Sequence, residues 1–205
     1  MIRERYITSS CIISNNRIHK NGLLLFEDKE KELADFLTAS YHHFALKYPK
    51  FYKMDNLAKL GWLAAELLLQ DHLPAGKYEP AQVGVVLANA NASLDTDLKY
   101  YETAKDIASP ALFVYTLPNI VIGEICIRHN FKGENAFFIF DSFDAVFIQQ
   151  YVSNLINSDI LQACICGWVE TLGETYNAVL FLVEKTGDKA FTVENINKIY
   201  QLENG

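Results

Sequence analysis

A chain of 205 residues, half of them apolar and about a fifth charged, is long enough for one α/β domain with a sizeable core and short for two. Its 11 tyrosines and 13 phenylalanines exclude a disordered, solvating polymer. The formal net charge of −7 excludes a general binder of nucleic acid or anionic membrane, and it gives an acidic carrier protein no electrostatic steering.

The run Arg5 to Ser14 is rich in β-branched residues and ends at Asn15-Asn16, which predicts a first strand and a turn, with a second extended piece at Leu23 to Phe26. The segment Met54 to Leu73 repeats apolar residues at helical spacing, with Asp55 as its N-cap and Pro74-Ala75-Gly76 as its stop. Val83 to Asn89 is a short apolar strand, and Ser93 to Ile107 reads as an amphipathic helix capped by Ser93. A further helix is predicted over Leu117 to Phe131, with Pro118 in its first turn and Gly133 beyond its end. The strand Ala136 to Phe140, the helix Ser142 to Ile156, and the strands Ile160 to Val169 and Ala178 to Val183 follow.

Apolar strands separated by crossover-length helices imply a mainly parallel sheet covered on both faces. Only Glu170 to Asn177 separates the last two strands, so those two are expected to pair antiparallel. No repeat or linker interrupts the chain, which reads as one domain over 1–205; the charged stretch Asp28 to Lys31 reads as a solvated face.

No basic leader opens the sequence and no stretch approaches the ~20 apolar residues of a bilayer span, so a cytoplasmic protein is expected. Cys11, Cys126, Cys164 and Cys166 form no C-x-x-C pair, and they read as buried reduced thiols rather than as a zinc site or disulfide framework. Neither a metal nor a cofactor is expected. His42 and His43 are neighbours on a helix, about 100° apart, which is not ligand geometry. Asn89 and Asn91 either line a pocket or hold a turn.

The pattern S-P-x-x-F-x-Y-x-L-P-N-x-x-x-G from Ser109 to Gly123, followed by G-E-N-A-F-F-I-F-D-S from Gly133 to Ser142, resembles the β-ketoacyl-(acyl-carrier-protein) synthases. Asp144-Ala145, Ser158-Asp159 and the run Ala163 to Glu170 continue the likeness, with Cys166 where the family's first glycine usually stands. The resemblance spans Arg5 to about Lys185. It implies the amino-terminal half of a thiolase-like protein, a five-stranded mostly parallel mixed sheet between helices, and it places the family's nucleophilic cysteine on Ser142.

The departures from the family bear on activity. Full synthases draw two histidines from a second half, whereas His19, His42, His43, His72 and His129 all precede Ser142, so no family histidine is carried over. A stretch that shapes the acyl site is also reduced here to the seven residues between Glu170 and Ala178. A serine needs an adjacent base, and Asp141 and Asp144 make the local field negative. Ser142 or Asp141 capping the next helix, with Asp144 favourable to its dipole, is the competing reading.

The resemblance therefore implies a non-catalytic subunit that pairs with an active ketosynthase in fatty-acid or polyketide-like synthesis. Two alternatives stand beside it: a minimal acyl transferase or thioester hydrolase using Ser142 with Asp144 or His129 as base, and a module that binds an acyl chain or carrier arm. In the thiolase superfamily the strand before the nucleophile pairs across a dimer, so a homodimer, or a heterodimer with a full ketosynthase, is expected through residues 136–140. An acyl carrier protein is a further expected partner.

Overall fold

The computed structural model describes residues 4–74 and 76–201. The chain opens with β1 (Tyr6–Ser14), β2 (Arg17–Lys20) and β3 (Leu23–Glu27), an antiparallel meander. Asn15 and Asn16 both take positive φ, 48° and 55°, which is what a two-residue hairpin turn requires and what asparagine tolerates. Then come α1 (Leu33–His43), α2 (Asn56–Leu69), β4 (Val83–Asn89), α3 (Leu94–Ala104), α4 (Pro110–Phe113), α5 (Ile120–His129) and β5 (Asn135–Ile139). The chain continues through α6 (Ala145–Asn157), β6 (Ala163–Leu172), β7 (Thr175–Glu184), the short β8 (Lys189–Ala190) and α7 (Val193–Gln201).

All eight strands form one mixed sheet in the order β3-β2-β1-β7-β6-β4-β5, with β8 also paired to β1. Its central part, β1 with β4 to β7, is the expected five-stranded sheet; β2, β3 and β8 extend it, so the strand count is higher than the sequence suggested. Parallel pairing is confined to β4–β5 and β4–β6. β7 runs against both β1 and β6, as the short β6–β7 connection requires.

The sheet separates two apolar layers. One packs Leu33, Phe36, Leu60, Trp62, Leu63, Leu67 and Ile125 of α1, α2 and α5 against Cys11, Val85, Ile165 and Leu180. The other packs Ile148, Val152 and Ile156 of α6 with Ile196 and Ile199 of α7 against Val86, Cys164, Cys166 and Phe181. α2 is buried almost all round, which suits its apolar sequence, and Asp55 caps it by accepting a 2.8 Å hydrogen bond from Ala58 N–H.

Helix boundaries shift for local reasons. α2 ends at Leu69, before Pro74, and α3 spans Leu94–Ala104. Ser93 is at the α3 N-cap position, but its hydroxyl makes no cap bond and donates to Thr116 O at 2.8 Å. α5 starts at Ile120, after the turn that holds Pro118, and is closed by Asn130 in the left-handed region rather than by Gly133.

Candidate functional site

The loop between β5 and α6 carries Ser142, the residue on which the sequence resemblance places the family's nucleophile. β5 is an edge strand that pairs only with β4 among the described residues, and Phe140 N–H donates to Asn89 O (3.0 Å), so the loop starts where β4 ends. Ser142 is exposed in this loop and its hydroxyl has no hydrogen-bond partner among the described residues.

α6 begins three residues later. Its N-cap is Asp144, whose carboxylate accepts from Phe147 N–H at 2.8 Å. The cap is therefore neither Ser142 nor Asp141, and Ser142 lies outside the helix end where the dipole would act on it. Asp144 thus commits one carboxylate oxygen to closing the helix. Phe143 anchors the loop by stacking on Tyr200 of α7 (centroids 4.3 Å apart) and meeting Trp168 edge-on.

The hollow at this loop is lined by Phe140 to Val146 and by Asn197. No histidine borders it. His129 sits at the far end of α5, its Nε2 2.8 Å from Glu66 Oε1, beside the start of β4. Ser142 follows the other end of β5, a strand about 16 Å long, so His129 is no base for it. His42 lies 3.2 Å from the Tyr52 hydroxyl, His43 lies against Phe26, and His72 meets Asn21, all away from the loop.

The other singled-out residues serve the fold. Asn89 is buried and bonds both ways with Ala92, donating to its carbonyl at 2.8 Å and accepting from its N–H at 3.0 Å, so it holds a turn. Glu170, at the end of β6, accepts from the N–H groups of Ala90 (2.6 Å) and Asn91 (3.2 Å), fixing the loop beside the Ser142 end of the sheet. The sequence likeness matched that glutamate without revealing this role.

Cys11, Cys164 and Cys166 are buried and Cys126 is half-buried, all as free thiols. Burial pushes every one of them up, Cys11 to about 12 and Cys126 to about 11, so none is an activated thiolate. Among the described residues no cluster of His, Cys, Asp and Glu can hold a metal, and no helix is long and apolar enough to cross a membrane.

No family profile and no curated protein matches this sequence. Solved structures do. The ishigamide ketosynthase/chain length factor is 16% identical with a TM-score of 0.62, the likeness covering 91% of this chain and 64% of that one. A ketosynthase in complex with its chain length factor from Xenorhabdus doucetiae is 11% identical, with a TM-score of 0.60, and covers 97% of this chain and 90% of the matched chain. A β-ketoacyl synthase from Burkholderia phymatum STM815 is 11% identical with a TM-score of 0.61, over 90% of this chain and 59% of that one. The chain thus spans about two thirds of the length of the first of these. The fold is thiolase-like. Within that class it is the fold of the ketosynthases and chain length factors, as the motifs between Ser109 and Glu170 imply.

Proposed function

We propose that this chain is a non-catalytic ketosynthase-like subunit that pairs with a thiolase-fold partner through β5, within a fatty-acid or polyketide-like assembly system. The observation that carries the reading is the state of the nucleophile position: an exposed serine outside the helix end, flanked by Asp141 and Asp144, with no histidine in reach. A hydroxyl in that setting gains neither a base nor a favourable field for alkoxide formation.

The sheet edges support the partner half of the proposal. β3, at one edge, is bulged at Leu25, a device that blunts further pairing. β5, at the other, keeps an unbroken register with β4 from Asn135 to Ile139. Val85 N–H bonds Glu134 O and Phe140 N–H bonds Asn89 O, so residues 134, 136, 138 and 140 face β4 and the backbone groups of Asn135, Phe137 and Ile139 face outward. Ile139, the last residue of β5, is an exposed apolar side chain, as are Leu98 and Tyr101 of α3 and Phe113 of α4. A chain nine-tenths covered by this one belongs to a ketosynthase–chain length factor complex, which also favours a subunit role.

The test is to incubate the purified chain, and Ser142→Ala, with malonyl- and acetyl-loaded carrier protein and to follow covalent mass and decarboxylation. No mass change in either protein is expected. Acylation that disappears in Ser142→Ala would make the chain a serine-dependent acyl-transfer enzyme and end the proposal.

A further inference from the structure

The two ends of α7 are held differently. Its root is fixed largely by main chain: Lys189 and Ala190 pair with Ile7 and Tyr6, Phe191 N–H donates to Arg5 O at 2.6 Å, and Thr192 Oγ1 accepts from Asn195 N–H at 3.2 Å. Its tip is tied to the body only by side chains among the described residues. Tyr200 stacks on Phe143 of the Ser142 loop, with the rings 4.3 Å apart and 13° from parallel, and its hydroxyl meets the Asn177 side chain near the start of β7. Ile196 and Ile199 point into the core, while Glu194 and Lys198 are exposed. A helix of nine residues held in this way belongs to the low-stability end of a fold.

A polar row runs beneath the tip. Ser14, Asn177 and Glu170 are opposite one another across β1, β7 and β6. By strand alternation they share the face of Ile12, Val179 and Cys166, the side on which α6 and α7 pack. Burial raises the Tyr200 phenol above its ordinary value, against the bond from Asn177 and together with the Glu170 charge, so Tyr200 lies over this row. Ser14 is 3% exposed, and its hydroxyl has no hydrogen-bond partner among the described residues. A buried hydroxyl of that kind is unfavourable and gains partners when water reaches the row. The closed arrangement therefore carries an opposing force next to the contact that keeps it closed.

We propose that the last turn of α7 is a lid, which lifts from this row while the rest of the domain stays folded and frees Phe143, and with it the Ser142 loop. The inference does not depend on the subunit reading above. Phe143 is the shared part: when Tyr200 leaves, the loop keeps its edge contact with Trp168 but loses its stack. A group that takes over the Phe143 ring then holds the lid open, which makes access to this end of the sheet conditional on α7.

Thiol labelling of Ser14→Cys in the full chain tests this, with alkylation by iodoacetamide mapped peptide by peptide. Cys11 is the internal control, since it is on the same strand and fully buried on the opposite face. The introduced thiol is expected to react at least about tenfold faster than Cys11, which needs global opening. Tyr200→Ala should raise that ratio about another tenfold through loss of the aromatic pair, whereas Tyr200→Phe, which keeps the stack, should change it by less than about threefold. A merely structural tyrosine would speed both thiols together and leave the ratio unmoved. An introduced thiol no faster than Cys11, or a ratio that Tyr200→Ala does not raise, overturns the lid. Amide exchange on the chain without the added thiol is the second reading: Tyr200→Ala should speed exchange of Phe147 N–H, which is bonded to Asp144 at the end of the loop, and leave Cys11 N–H in β1 unchanged. Equal exchange at Phe147 in both proteins refutes the link between α7 and the Ser142 loop.

Discussion

Replacing Gly167 by alanine is expected to leave little or no native protein. Gly167 lies inside β6 at φ 146°, where a side chain is strained whatever the space, and a Cβ there would stand 2.0 Å from the carbonyl oxygen of Val179 on β7. Backbone strain of this kind costs about 1–3 kcal/mol. The overlap is with main chain in the sheet interior, which yields only if the longest ladder of the fold opens; a total of roughly 4–5 kcal/mol or more is expected, against a total stability of about 5–15 kcal/mol.

Gly173 in the β6–β7 turn is the control, since it has φ 60° with open space around its Cβ position, so alanine there should cost only about 1–2 kcal/mol. Urea unfolding of the two variants decides it: equal midpoints would refute the steric account. The consequence reaches the candidate site, because Glu170, three residues along the same strand, holds the loop beside Ser142.

How far these features were legible depends on whether the signal was local. β4 was read with its correct ends, Val83 and Asn89, because a buried parallel strand is an unbroken apolar run. α2 was readable from its Asp55 cap and apolar spacing. The bounds of α1 were not legible beyond the helical placement of His42 and His43, for a physical reason: its N-cap, Glu32, makes no side-chain cap bond, and the first N–H of the helix, that of Leu33, is satisfied by Glu174 from the β6–β7 turn, at 2.7 Å. A cap supplied from 141 residues away leaves no trace in the neighbouring sequence. α7 did carry one, with Ile196 and Ile199 following Thr192, whose hydroxyl accepts from Asn195 N–H, and it went unread. The start of α6 was not legible, because Asp141, Ser142 and Asp144 are all good caps and only the fold of the loop selects Asp144.

Glu184→Gln is expected to lower stability at neutral pH and to flatten the loss of stability in acid. Glu184 is buried at the end of β7, 2.6 Å from Lys77 Nζ, and accepts hydrogen bonds from the Tyr78 hydroxyl (2.7 Å) and the Thr8 hydroxyl (2.6 Å). Burial alone would push this carboxyl up; the bonds from Lys77, Thr8 and Tyr78 together outweigh it and hold it below its ordinary value. Glu66 behaves in the same way between His129 and Arg128.

A carboxyl lowered in the folded state adds stability that is present above its unfolded value, about 4.3, and is lost as the pH falls through the folded value. Glu27, lowered chiefly by its bond from Arg17, adds a third, exposed case, while Asp55, raised by burial against the bonds from Thr96 and Ala58, works in the opposite direction, so three lowered carboxyls against one raised leave a net loss on the acid side. Because Lys77 is partly solvated, the neutral-pH cost of Glu184→Gln is put at about 2–3 kcal/mol, a drop of roughly 5–10 °C in Tm. Thermal unfolding against pH checks it, and curves for variant and wild type that run parallel into acid would sink the assignment. β7 ends opposite the start of β6, at the end of the sheet away from Ser142, so association measured at neutral pH should be unchanged by Glu184→Gln.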